Sequence, residues 1–180
     1  MDEGKRTYMI NLKVRTEYSF RKVYGRLPDI VKGTKGDAIG IADFGTWGWS
    51  KFSNECKKNN KKAIFGIEFC VVLNATENTK QPTNYMTMIA KNVNGIKNIY
   101  ELSTYSQNFF YYEPRIDYEK LLDFCNDDII LLSGDNPQVS LLKNFDNFYL
   151  EASPRSMSWL NKIKSVSEKY KIPIVACSDN

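Results

Sequence analysis

Apolar positions along the 180-residue chain follow two rhythms. Short, nearly continuous apolar runs at 8–14, 38–42, 63–73, 85–90, 128–133, 148–152 and 172–177 predict seven strands. Several are apolar enough to be buried on both faces. Between them apolar residues recur at helical spacing, predicting helices over 28–35, 49–59, 93–106, 118–125, 137–144 and 156–171. In 93–106, Ile96, Ile99, Tyr100 and Leu102 share a face. In 156–171, Trp159, Leu160, Ile163, Val166 and Tyr170 do the same, behind a capping Ser156. Strand–helix alternation repeated this often predicts βα units around a parallel sheet. Two connections break the rhythm. Residues 74–84 are Asn-, Thr- and Gln-rich with little to bury, which predicts an exposed, mobile loop. Residues 107–115 carry Phe109, Phe110, Tyr111 and Tyr112, as a lid or a packing patch would. With no repeat and no linker, 1–180 is expected to form a single domain. No helix follows the last predicted strand, so the natural chain is expected to continue past Asn180.

Composition narrows the chemistry. No apolar run approaches the ~18 residues of a membrane span, and the charged N-terminus lacks a signal peptide's apolar stretch. A cytoplasmic chain with no membrane partner is expected. The net charge of +4 lends only weak support to nucleic acid as a partner. Cys56, Cys70, Cys125 and Cys177 are scattered among apolar segments with no C-x-x-C pair, as buried free thiols would be. The chain has no histidine, which removes Ser–His and Cys–His nucleophiles and nearly all catalytic zinc sites. Other conspicuous residues have plain structural readings. Trp47 and Trp49, flanking Gly48, read as core or lid rather than as base-stacking rings. Lys57, Lys58, Lys61 and Lys62 read as a solvated helix end, and Asp43 as a possible cap for the following helix.

Six motifs, in order, carry a resemblance. Residues 8–19 (YMINLKVRTEYS) resemble the opening of the PHP (polymerase and histidinol phosphatase) domain of bacterial and phage DNA polymerase III alpha subunits: a strand, H-x-H, then S/T-E-Y-S. Ile41-Ala42-Asp43-Phe44-Gly45 is similar to that family's T-D-H-G. Glu55-Cys56-Lys57-Lys58 with Ile64-Phe65-Gly66-Ile67-Glu68 resembles A-C-K-K…I-I-G-C-E. Met88-Ile89-Ala90-Lys91-Asn92 with Gly95, Asn98 and Leu102 resembles the segment around L-L-A-K-N. Phe110-Tyr111-Tyr112-Glu113-Pro114-Arg115-Ile116-Asp117 resembles F-Y-Y-x-P-R-I-D, and Ile172-Pro173-Ile174-Val175-Ala176-Cys177-Ser178-Asp179 resembles I-P-L-V-A-T-N-D. The implied fold is a distorted seven-stranded (β/α)7 barrel, related to the TIM barrel. We expect it closed or nearly closed and parallel, with Ile39, Ile41, Ile64, Ile89, Ile130, Leu132, Val175 and Cys177 buried.

Active members of this family hold two or three Zn, Mn or Mg ions at the C-terminal ends of the strands and hydrolyse phosphoesters or pyrophosphate. Carried over by position, the H-x-H pair falls at Lys13 and Arg15, and a further acidic position at about Lys22. Phe44 and Tyr85 stand at two more histidine positions, and a last ligand would lie beyond Asp179. Glu68 and Asp179 remain as plausible ligands, with Asp43 beside them and Asp135 facing the site. Two carboxylates among three cations do not hold a metal cluster, because ligands must be deprotonated donors. The resemblance therefore implies no catalytic residue and no metal cofactor here. It implies a structural and docking module at the N-terminal end of a longer polymerase chain. Its partners would be the rest of that chain and a proofreading exonuclease or another replication protein. Two alternatives stand beside this: a residual phosphoesterase on Glu68, Asp135 and Asp179, and a free-standing phage protein that mimics a polymerase domain and binds a host partner. Lys13 and Arg15 are further expected to form salt bridges with Glu68, Asp179 or Asp43, Lys22 joining loosely.

Overall fold

The structure is a computed structural model describing residues 10–177, apart from 21, 137, 154 and 155. Its frame is a curled seven-stranded sheet. The strands are β1 (Ala38–Asp43), β2 (Lys62–Val72), β3 (Asn84–Ala90), β4 (Arg115–Asp117), β5 (Ile129–Leu132), β6 (Phe148–Ala152) and β7 (Ile174–Ala176). Their spatial order is β1-β2-β3-β5-β6-β7, with β4 continuing along the β2 edge past β1. The helices are α1 (Leu27–Gly33), α2 (Trp49–Lys58), α3 (Val93–Ser106), α4 (Tyr118–Asp123), α5 (Val139–Leu142) and α6 (Met157–Tyr170). Side chains cap three of them where expected chemistry sits: Asn92 accepts from the Asn94 and Gly95 amides, Asp117 from Lys120, and Ser156 from Trp159.

The sheet is mixed, not parallel. β1–β2, β2–β4, β5–β6 and β6–β7 run parallel, whereas β3 is antiparallel to both β2 and β5. Residues 73–83, between β2 and β3, contain no helix. A parallel return needs a crossover connection, usually helical, so the chain can only turn back beside β2. The run at 8–14 also departs from expectation. Residues 8 and 9 lie outside the described residues, and the described remainder is an extended segment bridging β1 only at Val14 and Ile41. It lies very close to β1, because a Cβ on Gly40 would come within 2.4 Å of the Leu12 carbonyl oxygen. Only glycine fits there.

Side-chain alternation splits the core into two faces. On the convex face, Ile41, Ile67, Met88, Leu131, Phe148 and Leu150 pack with Phe52 of α2, Ile99 and Leu102 of α3, and Ile163 of α6. On the concave face, Ile89, Leu132 and Cys177 are buried and pack with Leu12, Ile64, Ile130, Tyr149 and Val175. The expected burial holds for Ile39, Ile41, Ile89, Leu132 and Cys177, whereas Ile64, Ile130 and Val175 are half-exposed. Ile64 and Ile130 line an open cavity of about 420 Å³, so among the described residues no second layer covers them. The four cysteines are free thiols, Cys125 only partly buried. The 74–84 loop is less detached than its composition implies. Ala75 is buried, and the buried Arg115 donates to the carbonyls of Ala75, Glu77 and Thr79. No helix among the described residues is long and apolar enough to cross a membrane.

Candidate functional site

In the extended segment over β1, alternation sends Val14 to the convex core and Lys13 and Arg15 to the concave side. Glu68 of β2 and Glu151 of β6 face the same space. The result is a buried ion network. Lys13 Nζ lies 2.9 Å from Glu68 Oε1 and 3.0 Å from Glu151 Oε1. Arg15 grips the same Glu68 carboxylate with its fork, Nε to Oε2 at 3.1 Å and Nη2 to both oxygens at 2.8 Å. The Glu68 side chain is wholly buried and that of Arg15 18% exposed. Glu151 is completed by the Gly134 amide at 2.7 Å. Burial lowers the pKa of Lys13, but the Glu151 and Glu68 carboxylates more than offset it and raise its pKa above the ordinary lysine value.

Asp43, at the end of β1, does other work. It accepts from the Thr16 amide and hydroxyl, each at 2.7 Å, and from the Ser19 hydroxyl at 2.5 Å. Burial raises its pKa, against those hydrogen bonds. Asp43 thus anchors the 16–19 turn and does not cap α2, whose N-cap is Gly48. Glu17 in that turn accepts from Lys51 at 3.0 Å and from the Leu27 amide at 2.5 Å.

An aromatic wall faces the ion network. Phe44 and Tyr85 meet edge to face at 5.6 Å, with Lys22 Nζ 5.4 Å from the first ring centre and 4.9 Å from the second. The Tyr85 hydroxyl donates to Glu113 at 2.5 Å. Burial, then the Glu113 carboxylate, pushes its pKa well above that of a free phenol. Burial likewise pushes the Cys70 thiol up to about 12, with Glu113 adding to it. Both groups stay protonated at neutral pH, so neither supplies an anionic donor.

Seven of the nine positions named from the sequence line one cavity of about 160 Å³: Lys13, Arg15, Lys22, Phe44, Glu68, Tyr85 and Asp135. Asp179 lies outside the described residues. Glu113 and Glu151 were missed. A charge inside the apolar run Leu150-Glu151-Ala152, at the concave register, was the available signal for the second. The two tryptophans diverge. Trp49 is core, 5.1 Å from Phe65 and 5.2 Å from Tyr100, whereas Trp47 is 67% exposed. Lys61 is no solvated helix end, because its ammonium donates to the Thr34 and Gly36 carbonyls. The divalent-metal chemistry of the family's active members does not fit these donors. Among the described residues no group of three or more His, Cys, Asp or Glu stands ready to hold an ion, and Glu68 is already saturated by two cations.

Comparison with known proteins gives the family and the fold. The sequence profile of the PHP domain matches residues 11–171. A DNA polymerase III subunit alpha from Aquifex aeolicus is 28% identical, the match covering 87% of this chain. The chain spans only 14% of that relative's length. Among solved structures, a Bifidobacterium adolescentis protein assigned as a metal-dependent phosphoesterase superposes with a TM-score of 0.63. That match covers 94% of this chain and 86% of the other, at 9% identity, and speaks for the fold.

Proposed function

This chain belongs to the PHP domain family, and we propose that it is a member that has exchanged metal-dependent hydrolysis for a structural, protein-docking role in DNA replication. One observation carries the reading. The side chains at the family's first-strand ligand positions are Lys13 and Arg15, and both are ion-paired to Glu68, the best remaining carboxylate ligand. A divalent ion at Glu68 would have to displace two cations whose proximity repels it. Phe44 supplies no donor atom, and Tyr85 is held as a neutral phenol by burial and Glu113. No hydrolytic step is therefore assigned to these residues. Similarity to a polymerase alpha subunit, with the chain spanning a small part of it, supports a place within a polymerase assembly. There the domain would pack against the remainder of a polymerase chain and present a surface to a replication protein.

The test is direct. The purified chain should hydrolyse neither p-nitrophenyl phosphate nor pyrophosphate above background with Mn²⁺, Mg²⁺ or Zn²⁺. Metal-dependent turnover that disappears in Glu68→Ala would overturn the proposal.

A further inference from the structure

The cavity of about 420 Å³ opens at the N-terminal end of β2, and none of its lining residues is shared with the cavity of the ion network. The sheet itself makes this opening. β2 ladders to β1 from Lys62 onwards, but its pairing with β3 begins only at Gly66. Residues 62–65 are therefore bonded along one edge, and alternate residues there turn their N–H and C=O away from β1. β3 leaves because its end is held to β5: Ala90 pairs with Ile129, and the Lys91 amide donates to the Asp128 carbonyl at 2.9 Å. Gly95 fixes the turn into α3, since a Cβ there would come within 2.3 Å of the same carbonyl oxygen. The stretch 62–65, about 13 Å of strand, is left facing a gap.

The gap is apolar on both faces of the sheet. Leu12, Ile64 and Ile130 reach it from the concave cluster, and Ala63, Phe65 and Ile96 from the convex core. A bowl for a small amphiphile needs one apolar wall, whereas an added strand sends successive side chains to opposite faces. Val93, the first residue of α3, stands in the lining and is 66% exposed. The charged side chains of the lining are Lys62 and Lys91, both exposed. Among the described residues Lys91 donates to Asn147 at 3.5 Å, and neither lysine has a carboxylate partner. We infer that this gap receives an extended segment of a partner protein, apolar at its centre and acidic at its ends, as a strand added to β2. Main-chain bonds to 62–65 supply affinity, alternate side chains enter the two apolar walls, and carboxylates meet Lys62 and Lys91. A second copy of this chain fits less well, because a symmetric contact sets the same cationic rim against itself. The inference rests on the docking role proposed above and deepens it, giving that role a surface and its partner a chemistry.

The experiment titrates the fluorescently labelled peptide EEVIVIEE with the whole chain, following anisotropy, and measures amide exchange in the complex. The peptide should bind saturably, and exchange at 62–65 should slow as free edge amides become bonded. KKVIVIKK should bind roughly tenfold more weakly, because its charges oppose Lys62 and Lys91. EEVPVIEE should also lose affinity, because proline removes a donor that a laddered strand needs. The double variant Lys62→Glu, Lys91→Glu should reverse the preference and favour KKVIVIKK. Val93→Asp should weaken EEVIVIEE yet keep the melting temperature, since Val93 is exposed and a carboxylate suits a helix N-terminus. No saturable binding, equal affinity for the three peptides, indifference to the double variant, or binding without slowed exchange at 62–65 overturns the inference. Binding that appears only once residues 1–8 are deleted assigns the gap to the chain's own N-terminus, and a chain dimer that the peptide dissociates assigns it to a second copy. Either result overturns the inference as well. None of these outcomes bears on the hydrolysis assay, which decides separately whether the metal chemistry is lost.

Discussion

Lys13 and Arg15 reach the same carboxylate from neighbouring positions on one face of the extended segment, and the two contacts differ in kind. The Arg15 fork fixes both Glu68 oxygens, whereas Lys13 is a point charge shared with Glu151. Removing one partner of a buried pair leaves a charge without compensation. Arg15→Ala should therefore lower stability by about 3 kcal/mol, read from the shift of the denaturation midpoint. Arg15→Lys should recover only part of that, since an ammonium cannot hold both oxygens. Lys13 makes a separate, pH-dependent prediction. Its folded-state pKa is raised, so the native chain binds this proton more tightly than the unfolded one. The stabilisation is full below the unfolded value near 10.5 and is lost as pH rises through the folded value. In Lys13→Met that alkaline slope should flatten, although stability at neutral pH falls. Urea melts of both proteins across the alkaline range would show it, and parallel curves would refute it.

At the scale of elements, Arg115 ties two irregular segments to the sheet. From β4 its guanidinium donates to the carbonyls of Phe109, Thr79, Ala75 and Glu77, and it stacks 4.8 Å from Tyr111. The buried Arg115 thus satisfies backbone oxygens of two loops with one side chain. Arg115→Ala should speed amide exchange across 74–81 and 107–112 well before the sheet is affected. Uniform protection in the variant would show that the loops hold themselves. This contact was not legible in the sequence. Both loops were read by composition, and nothing local tells where an arginine's fork will end. The antiparallel β3 was missed for a related reason: a buried strand reads as the same apolar run in either direction, and only the helix-free connection before it carried the answer. β4 was too short, at three residues, for any periodicity to appear. Helices with strong periodicity fared better. α3 and α6 fall within a residue of their expected bounds, and Asn92 and Ser156 cap them with side-chain oxygens. The candidate site was the most legible part, because motif positions fix strand register, and register sends Lys13, Arg15, Glu68 and Tyr85 to one face. Glu113 and Glu151 escaped because no motif position called for a carboxylate there.

On the scale of the whole molecule, the ion network decides what the fold depends on. The concave face of a curled sheet concentrates side chains from strands far apart in sequence: β2, β6 and the segment over β1 meet within 3.0 Å at Lys13 alone. In a metal-bound arrangement such a cluster of carboxylates is neutralised by ions from solution, and stability then follows metal concentration through mass action. In the proposed reading the neutralising charges are covalently part of the chain, so their effective concentration is fixed and no metal term is expected in the stability. The melting temperature should accordingly be the same in EDTA as in excess Zn²⁺ or Mn²⁺. The opposite behaviour should appear when the triple substitution Lys13→His, Arg15→His and Phe44→His is made. At neutral pH it removes both fixed charges from Glu68, so the metal-free protein should melt lower than the parent. Added Zn²⁺ should then raise its melting temperature, because imidazoles and Glu68 together supply neutral and anionic donors. Thermal melts of the two proteins with and without metal make the comparison. A parent that gains stability from Zn²⁺, or a triple variant as stable as the parent in EDTA, would mean that the cations at 13 and 15 are not what holds this face of the sheet together.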